Sequence, residues 1–326
     1  MNQLYPLKFT PIFKDKIWGG NKIKTVLGMD YAPLQNCGEV WVLSGVEENT
    51  SEVSNGFLKG NELNELIEVY MGDLVGDVVY EKFGNEFPIL IKFIDANDYL
   101  SIQVHPDDEL AAKRKIGYGK SEMWYILQAD ENAELISGFN QKLNKESYQK
   151  HLENKTLQQI LNHEKVTKDE VYYMPAGRVH ALGPGILLAE IQQTSDTTYR
   201  IYDWDRLDDK GNPRQLHIEE ALDAIDFNVY DTYKTDYQPI VNKTVNVLET
   251  PHFTTNILQL DKKIEKDYEE LDSFVIFICT QGRGELHYGT EKIDFKKGEV
   301  VLLPATIKKI QLLPLEEIKL MEVYVV

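Results

Sequence analysis

The sequence predicts a mainly β protein: an antiparallel sandwich or barrel with small helical insertions, built as two related β-domains. Three observations carry that expectation. Runs rich in β-branched and aromatic residues outnumber helical patterns. Those runs do not alternate regularly with helices, as a doubly wound parallel sheet requires. Two stretches of the chain also repeat each other.

The strand-like runs begin with GEVWVLSG (38–45), FPILIKFIDA (87–96) and EMWYILQA (122–129). DEVYYMPAG (169–177), GILLAEIQQ (185–193), SFVIFICTQG (273–282) and GEVVLLPA (298–305) continue the series. Helical spacing is rarer. Leu63, Leu66, Ile67, Tyr70, Met71 and Leu74 follow the i, i+3, i+4, i+7 rule and predict a helical insertion near 61–76. Tyr148, Leu152, Leu157, Ile160 and Leu161 predict two short helices, broken near Asn154, in an insertion at about 141–162. A third helix is expected over Ile218 to Ile225.

The repeat lays EMWYILQADENAEL (122–135) on SFVIFICTQGRGEL (273–286), and DEVYYMPAGRVH (169–180) on GEVVLLPATIKK (298–309). The first pair of blocks spans 58 positions (122 to 180) and the second 36 (273 to 309). The surplus of 22 matches the helical stretch around 141–162. Residues 1–239 are therefore expected to form one domain with both insertions, and 240–326 a second. In this alignment Glu122 falls on Ser273 and His180 on Lys309, so only the first copy could hold a metal there.

Composition narrows the partners. The chain has 326 residues, enough for a sizeable core, and a net charge of −18, which opposes a nucleic-acid or anionic-membrane surface. A small anionic substrate stays open, because a pocket can oppose the global charge. Apolar stretches such as Phe274 to Cys279 are far shorter than the roughly 20 residues of a membrane span. MNQLYPLKFTPIF does not read as a signal peptide, and Cys37 and Cys279 form no metal or redox motif, so a cytoplasmic location is expected.

Two constellations carry chemistry. In SIQVHPDD (101–108), Ser101, Gln103 and His105 share one face of a strand, with Ile102 and Val104 on the other. Facing inward, the polar side needs partners, and a metal is one. Gln103, His105, Glu122 and His180 together offer two imidazoles, a carboxylate and an amide oxygen, a set suited to a borderline divalent ion, zinc first. A strand histidine is more often a hydrogen-bonded core residue, and Glu122 beside Lys120 also reads as half of a surface ion pair. In EIQQTSDTTYRIYDWDR (190–206), Arg200 lies between Tyr199 and Ile201, where a guanidinium needs a carboxylate such as Asp203 or Asp205, or a ligand anion. G-x-S-x-G, G-x-x-x-x-G-K-[ST] and G-x-G-x-x-G are absent.

LSIQVHPDD, GKSEMWYIL, MPAGRVHAL and EIQQTSDTTYRIYDWDR, with PIFKDKIWGG near the N-terminus, together resemble the type I mannose-6-phosphate isomerases in their short bacterial form. The motifs run in order from about residue 6 to 206, and the likeness continues more loosely to the end. The resemblance implies cupin (jelly-roll) barrels, a zinc ion, and interconversion of mannose 6-phosphate and fructose 6-phosphate through an enediol. By motif it implies His105, Glu122 and His180 as zinc ligands, Gln103 as a fourth, and Arg200 as the active-site arginine. Ser101 and Lys120 match positions near the phosphate and reacting carbons. Glu190, and Lys120 depressed by a nearby Zn²⁺, are both candidates for the proton-moving base. The partner is a hexose phosphate, and the chain is expected to be a monomer or weak homo-oligomer. The rival readings are a metal-dependent cupin oxygenase, a non-catalytic sugar-phosphate-binding protein and a purely structural β-sandwich.

Overall fold

The computed structural model describes residues 3–207 and 210–326. Four antiparallel sheets build it. The first large sheet runs β1 (Ile12–Lys14), β2 (Glu39–Leu43), β3 (Ile89–Ala96), β10 (Ile186–Gln193), β5 (Glu122–Ala129), β8 (Val171–Met174), β12 (Lys234–Thr235). Opposite it lies the small sheet β11 (Tyr199–Tyr202), β4 (Ile102–Val104), β9 (His180–Leu182), β6 (Glu134–Phe139), β7 (Leu161–Lys165). The second large sheet runs β13 (Thr244–Glu249), β14 (Thr254–Leu260), β21 (Ile318–Tyr324), β16 (Val275–Gln281), β19 (Val300–Leu303). Its small partner is β15 (Ile264–Asp267), β20 (Lys309–Pro314), β17 (Arg283–Tyr288), β18 (Glu291–Lys296).

The seven sequence-predicted strands all fall in the two large sheets, and burial explains why. Every residue of β3 and β10 is buried. A sheet covered on both faces reads as a nearly continuous apolar run. One face of the first large sheet, with Ile94, Trp124, Ile126 and Leu188, packs on Leu135 and Leu182 of the small sheet. The other face, with Ile91, Phe93, Met123 and Ala189, packs on Ile257, Ile276, Met321 and Val323 of the second large sheet. The two sandwiches thus stand back to back, sharing one core. The Phe87 and Phe274 rings meet there at 4.6 Å between centroids. Near the N-terminus, Leu7 exchanges two backbone hydrogen bonds with Leu302 of β19, so the chain's start is stitched to the C-terminal half.

Helices fill the margins. The pattern at 61–76 becomes α2 (Leu63–Tyr70) and α3 (Gly72–Val75). The sequence reading missed α1 (Lys22–Thr25), α4 (Asp77–Phe83) and α5 (Asp108–Arg114). The Asp272 carboxylate accepts from the Asp77 and Val78 amides at 3.0 Å each, capping α4 from the other half of the chain. The expected break near Asn154 is real: α6 (Lys145–Glu153) ends there, and a 3₁₀ turn follows over Leu157–Ile160. Leu161, read as helical, opens β7 instead. With α7 (Ile218–Ala224), this insertion covers the outer face of the small sheet, against Ile102, Val104, Val179 and Ala181. The outward face of β4 is therefore its apolar one, and Gln103 points in. No helix among the described residues is long and apolar enough to cross a membrane.

The sandwiches share one strand order, β3-β10-β5-β8 matching β14-β21-β16-β19, and β4-β9-β6-β7 matching β15-β20-β17-β18. Even the bulge is shared, between Leu187 and Leu188 in one and at Cys279/Gln281 in the other. The ladders correct the ungapped alignment. Glu122 pairs with Met174 as Val275 pairs with Leu303, and Gln103 pairs with His180 as Lys266 pairs with Ile310. Glu122 thus corresponds to Val275, not Ser273, and His180 to Ile310, not Lys309. The first copy carries two more residues between β5 and β6, and the second one more before β20. A single-residue slip exchanges the two faces of a strand, which is why Lys309 had looked equivalent.

Candidate metal centre and active site

The inward face of the first sandwich collects the predicted residues from separate strands. Gln103 sits on β4 with His105 just beyond it, His180 opens β9, Glu122 opens β5, and Glu190 lies on β10. His105, Glu122 and His180 each offer one ligand atom, all within 4.8 Å of one another and all buried. Glu122 Oε1 is 3.2 Å from His180 Nε2, and Oε2 is 3.5 Å from His105 Nε2. Gln103 Nε2 lies 3.2 Å from His180 Nε2, and a half-turn of the amide would turn its oxygen to the same point.

The hydrogen bonds behind the rings fix their tautomers. His105 Nδ1 lies 2.9 Å from the Thr197 carbonyl and His180 Nδ1 2.8 Å from that of Arg178. A carbonyl only accepts, so both protons sit on Nδ1 and both Nε2 atoms present lone pairs. Burial pushes His180 down to about 4 and His105 well below its usual value, so both rings stay neutral. Burial and the Glu190 carboxylate push Glu122 up to about 7. His105 Nε2 and both Glu122 oxygens are buried without a hydrogen-bond partner. Three acceptors facing one another repel unless a cation lies between them, and these residues fit a divalent ion.

Above this cluster opens a cavity of roughly 390 Å³. Its lining includes Ser101, Gln103, Lys120, His180, Glu190 and Arg200. It also includes Lys92, which the sequence reading passed over, although a lysine inside FPILIKFIDA was the available signal. Lys92 is buried, 3.1 Å from Glu190 Oε1 and 2.7 Å from Gln192 Oε1. Burial would raise the Glu190 carboxyl, but Lys92 and Lys120 outweigh it and hold it below its ordinary value. Trp124 Nε1 donates to Glu190 Oε2 at 2.9 Å.

Among the described residues six cations line the cavity, and three are matched by carboxylates: Lys16 by Glu39 at 3.3 Å, Lys92 by Glu190, and Lys120 by Glu122 at 3.4 Å. The other three are in excess. Lys14 takes only the Asn49 amide oxygen and lies over Trp41. Arg214 shares the Asp203 carboxylate with Arg206. Arg200 Nη1 donates to the Gln215 carbonyl at 2.9 Å, and its buried Nε has no partner. The expected alternatives for Arg200 thus separate: Asp203 is taken by Arg206 and Arg214, and the Tyr202 hydroxyl bonds Asp205. Among the described residues Arg200 has no carboxylate partner. Among the described residues Asp196 is the only further acid on the lining, so in a protein of net charge −18 they surround this cavity with surplus positive charge.

Comparison with known proteins identifies the family. Residues 6–142 match the phosphomannose isomerase type I catalytic domain, and 243–324 the mannose-6-phosphate isomerase cupin domain. A mannose-6-phosphate isomerase of Streptococcus mutans is 35% identical over 311 residues, 94% of each chain. The probable mannose-6-phosphate isomerase GmuF of Bacillus subtilis is 40% identical over 305 residues, 92% of this chain and 94% of that one. The crystal structure of the Bacillus subtilis mannose 6-phosphate isomerase superposes with a TM-score of 0.88 at 33% identity, covering 98% of this chain and 99% of that one.

Proposed function

The chain belongs to the type I mannose-6-phosphate isomerases, and from that premise we propose that it interconverts mannose 6-phosphate and fructose 6-phosphate using a zinc ion held by His105, Glu122, His180 and Gln103. The observation that carries the metal assignment is the set of buried, unpartnered acceptors on His105 and Glu122. When bound, a divalent ion supplies Lewis acidity that stabilises negative charge on the substrate oxygens.

The rest falls to the chain's own residues. Isomerisation removes the proton from C2, passes through an enediol and returns a proton to C1, while the hydroxyl proton moves from O2 to O1. Arg200, with an unpartnered Nε–H and no carboxylate partner among the described residues, donates to the oxygen on which charge develops. Lys14 and Arg214 add to the positive rim that takes the phosphate dianion. Ser101, at the cavity wall, contacts the sugar phosphate. Glu190 and Lys120 both reach the cavity, and one of them moves the proton. Glu190 stays ionised beside its lysines and can accept a proton, though with weakened basicity. Comparing Glu190→Gln with Lys120→Met for exchange of the C2 proton with solvent assigns the role: the base variant loses exchange.

We place the domain boundary at 239/240, which the matching strand orders support, and assign the catalytic site to 1–239. A cytoplasmic enzyme fits the two free, buried cysteines. The deciding experiment is metal analysis of the purified protein paired with a coupled isomerase assay. A protein that isomerises mannose 6-phosphate after complete removal of metal would overturn the zinc reading.

A further inference from the structure

Arg178 stands two residues before His180 and has no catalytic contact, yet it is buried and no carboxylate lies within ion-pair distance of it among the described residues. Two aromatic rings hold it instead. Its guanidinium carbon is 4.5 Å from the Tyr230 ring centre and 4.7 Å from that of Tyr233. Both tyrosines belong to the segment that leaves α7 and runs to β12 on its way to the second sandwich. A guanidinium between two faces is anchored by cation–π attraction, which strengthens when water is excluded.

The segment is itself fixed. Asp226 accepts from the Tyr230 hydroxyl at 2.6 Å, and the Tyr233 hydroxyl donates to the Phe139 carbonyl at 2.8 Å. The Asp226 amide donates to the Gly177 carbonyl at 2.8 Å, and the Gly177 amide to the His105 carbonyl at 2.9 Å. Gly177 has φ +87°, and a Cβ there would meet the Ala224 carbonyl oxygen at 2.9 Å, so the loop and the segment lie in direct backbone contact. The Arg178 carbonyl, at the centre of this contact, is the acceptor that fixes the proton of His180 on Nδ1.

We infer that the segment between α7 and β12 is a strap that positions the metal centre: Tyr230 and Tyr233, by clamping Arg178, hold in place the carbonyl that orients His180 and the Gly177 amide that bonds the His105 backbone. This rests on the metal assignment above. Groups that orient a metal-bound histidine typically govern metal affinity by about 10–100-fold. The strap is a positioning device, so its removal loosens the metal without touching substrate.

The test strips the full-length protein of metal and titrates Zn²⁺ against a chromophoric chelator for the parent, Arg178→Ala, Tyr230→Ala and Tyr230→Phe. Arg178→Ala and Tyr230→Ala are expected to bind zinc about tenfold or more weakly, at an unchanged melting temperature of the stripped protein. Tyr230→Phe keeps the ring but loses the bond to Asp226, and is expected to stay closer to the parent than Tyr230→Ala. Tyr230 is 42% exposed, so its variants fold even if Arg178→Ala does not. Zinc affinity within twofold of the parent in Tyr230→Ala overturns the strap, as does a phenylalanine variant as weak as the alanine one. If the parent itself takes up no metal, the metal assignment fails and the strap fails with it. Metal bound by the parent and equally by all three variants removes the strap alone.

Discussion

The two sandwiches use the same strand order to opposite ends. Where the first places Gln103, Glu122 and His180, the ladders of the second place Lys266, Val275 and Ile310, and Tyr268 follows Lys266 by two residues as His105 follows Gln103. Two of the proposed ligand positions are aliphatic there, Val275 and Ile310. The β10 carboxylate survives: Glu190, paired across the sheet with Lys92, corresponds to Glu322, paired with Asn256. In the second sandwich that carboxylate is satisfied from within. Lys266 Nζ lies 2.8 Å from Glu322, Asn256 Nδ2 donates to it at 2.8 Å, and the Tyr268 hydroxyl donates as well. An ammonium on a tether stands where the first sandwich leaves acceptors facing one another. One interior satisfies its carboxylate from within; the other leaves buried acceptors without hydrogen-bond partners, where we propose a cation.

That contrast can be broken at several points. The largest effect is expected at the ligands. His105→Ala and His180→Ala should each lose most of the metal, and activity with it, while the matching change Ile310→Ala in the second sandwich should leave both intact. Metal analysis with the coupled assay reads this, and full zinc occupancy in both histidine variants would sink the assignment.

Next comes Arg200. Loss of a donor to developing charge typically lowers kcat by about 10²–10³, whereas an exposed ion pair is worth at most about 1 kcal/mol. Arg200→Ala should therefore keep zinc and melting temperature while losing turnover on that scale. Arg200→Lys should recover only part, because an ammonium lacks the forked geometry. Turnover of Arg200→Ala within a few-fold of the parent would remove its role.

In the second sandwich the effect should appear in stability alone. Lys266→Met leaves Glu322, 1% exposed, without its ammonium, and unpairing a buried charge costs about 3–5 kcal/mol. Denaturant unfolding should show that loss, and Lys266→Met combined with Glu322→Gln should restore most of it. Equal stability of parent and single variant would mean that the lysine is not the counter-charge.

The smallest effect concerns pH. Glu122 is pushed up to about 7, while His180 stays neutral down to about 4. In the metal-stripped protein a proton therefore competes for Glu122 below pH 7. Zinc affinity should fall by about tenfold per pH unit from 7 towards 5, with one proton released per ion bound, and level off above 7. Calorimetry in buffers of different ionisation enthalpy measures that proton count. A flat profile from pH 5 to 8 would place the Glu122 titration elsewhere.

Much of this was legible in the sequence, for local reasons. The i, i+2 spacing of Gln103 and His105 needs only strand geometry to put both on one face. The runs in the large sheets are apolar because both faces are covered, so they announce themselves. Strands of two to four residues, such as β9, β11 and β12, carry no periodicity to read. Lys92 and Glu190 are partners only across a ladder between residues almost a hundred positions apart, and no spacing rule reaches that far. The repeat was visible, but its exact register was not. Loop lengths differ by one or two residues, and the alternation of faces turns that small error into a wrong partner. The loose end of Arg200 was equally hidden, because it depends on Asp203 being claimed by two other arginines.

The stitch between Leu7 and Leu302 has a consequence for the order in which the protein is made. Leu7 meets its hydrogen-bonding partner only after the chain has been made as far as Leu302. At about 5–20 residues per second, that delay is roughly 15–60 s. In the later part of that interval, once β10 has been made, the apolar back of the first large sheet is exposed, because the strands that cover it are still to come. A chaperone that shields the sheet in that window would do for it what the C-terminal half does afterwards.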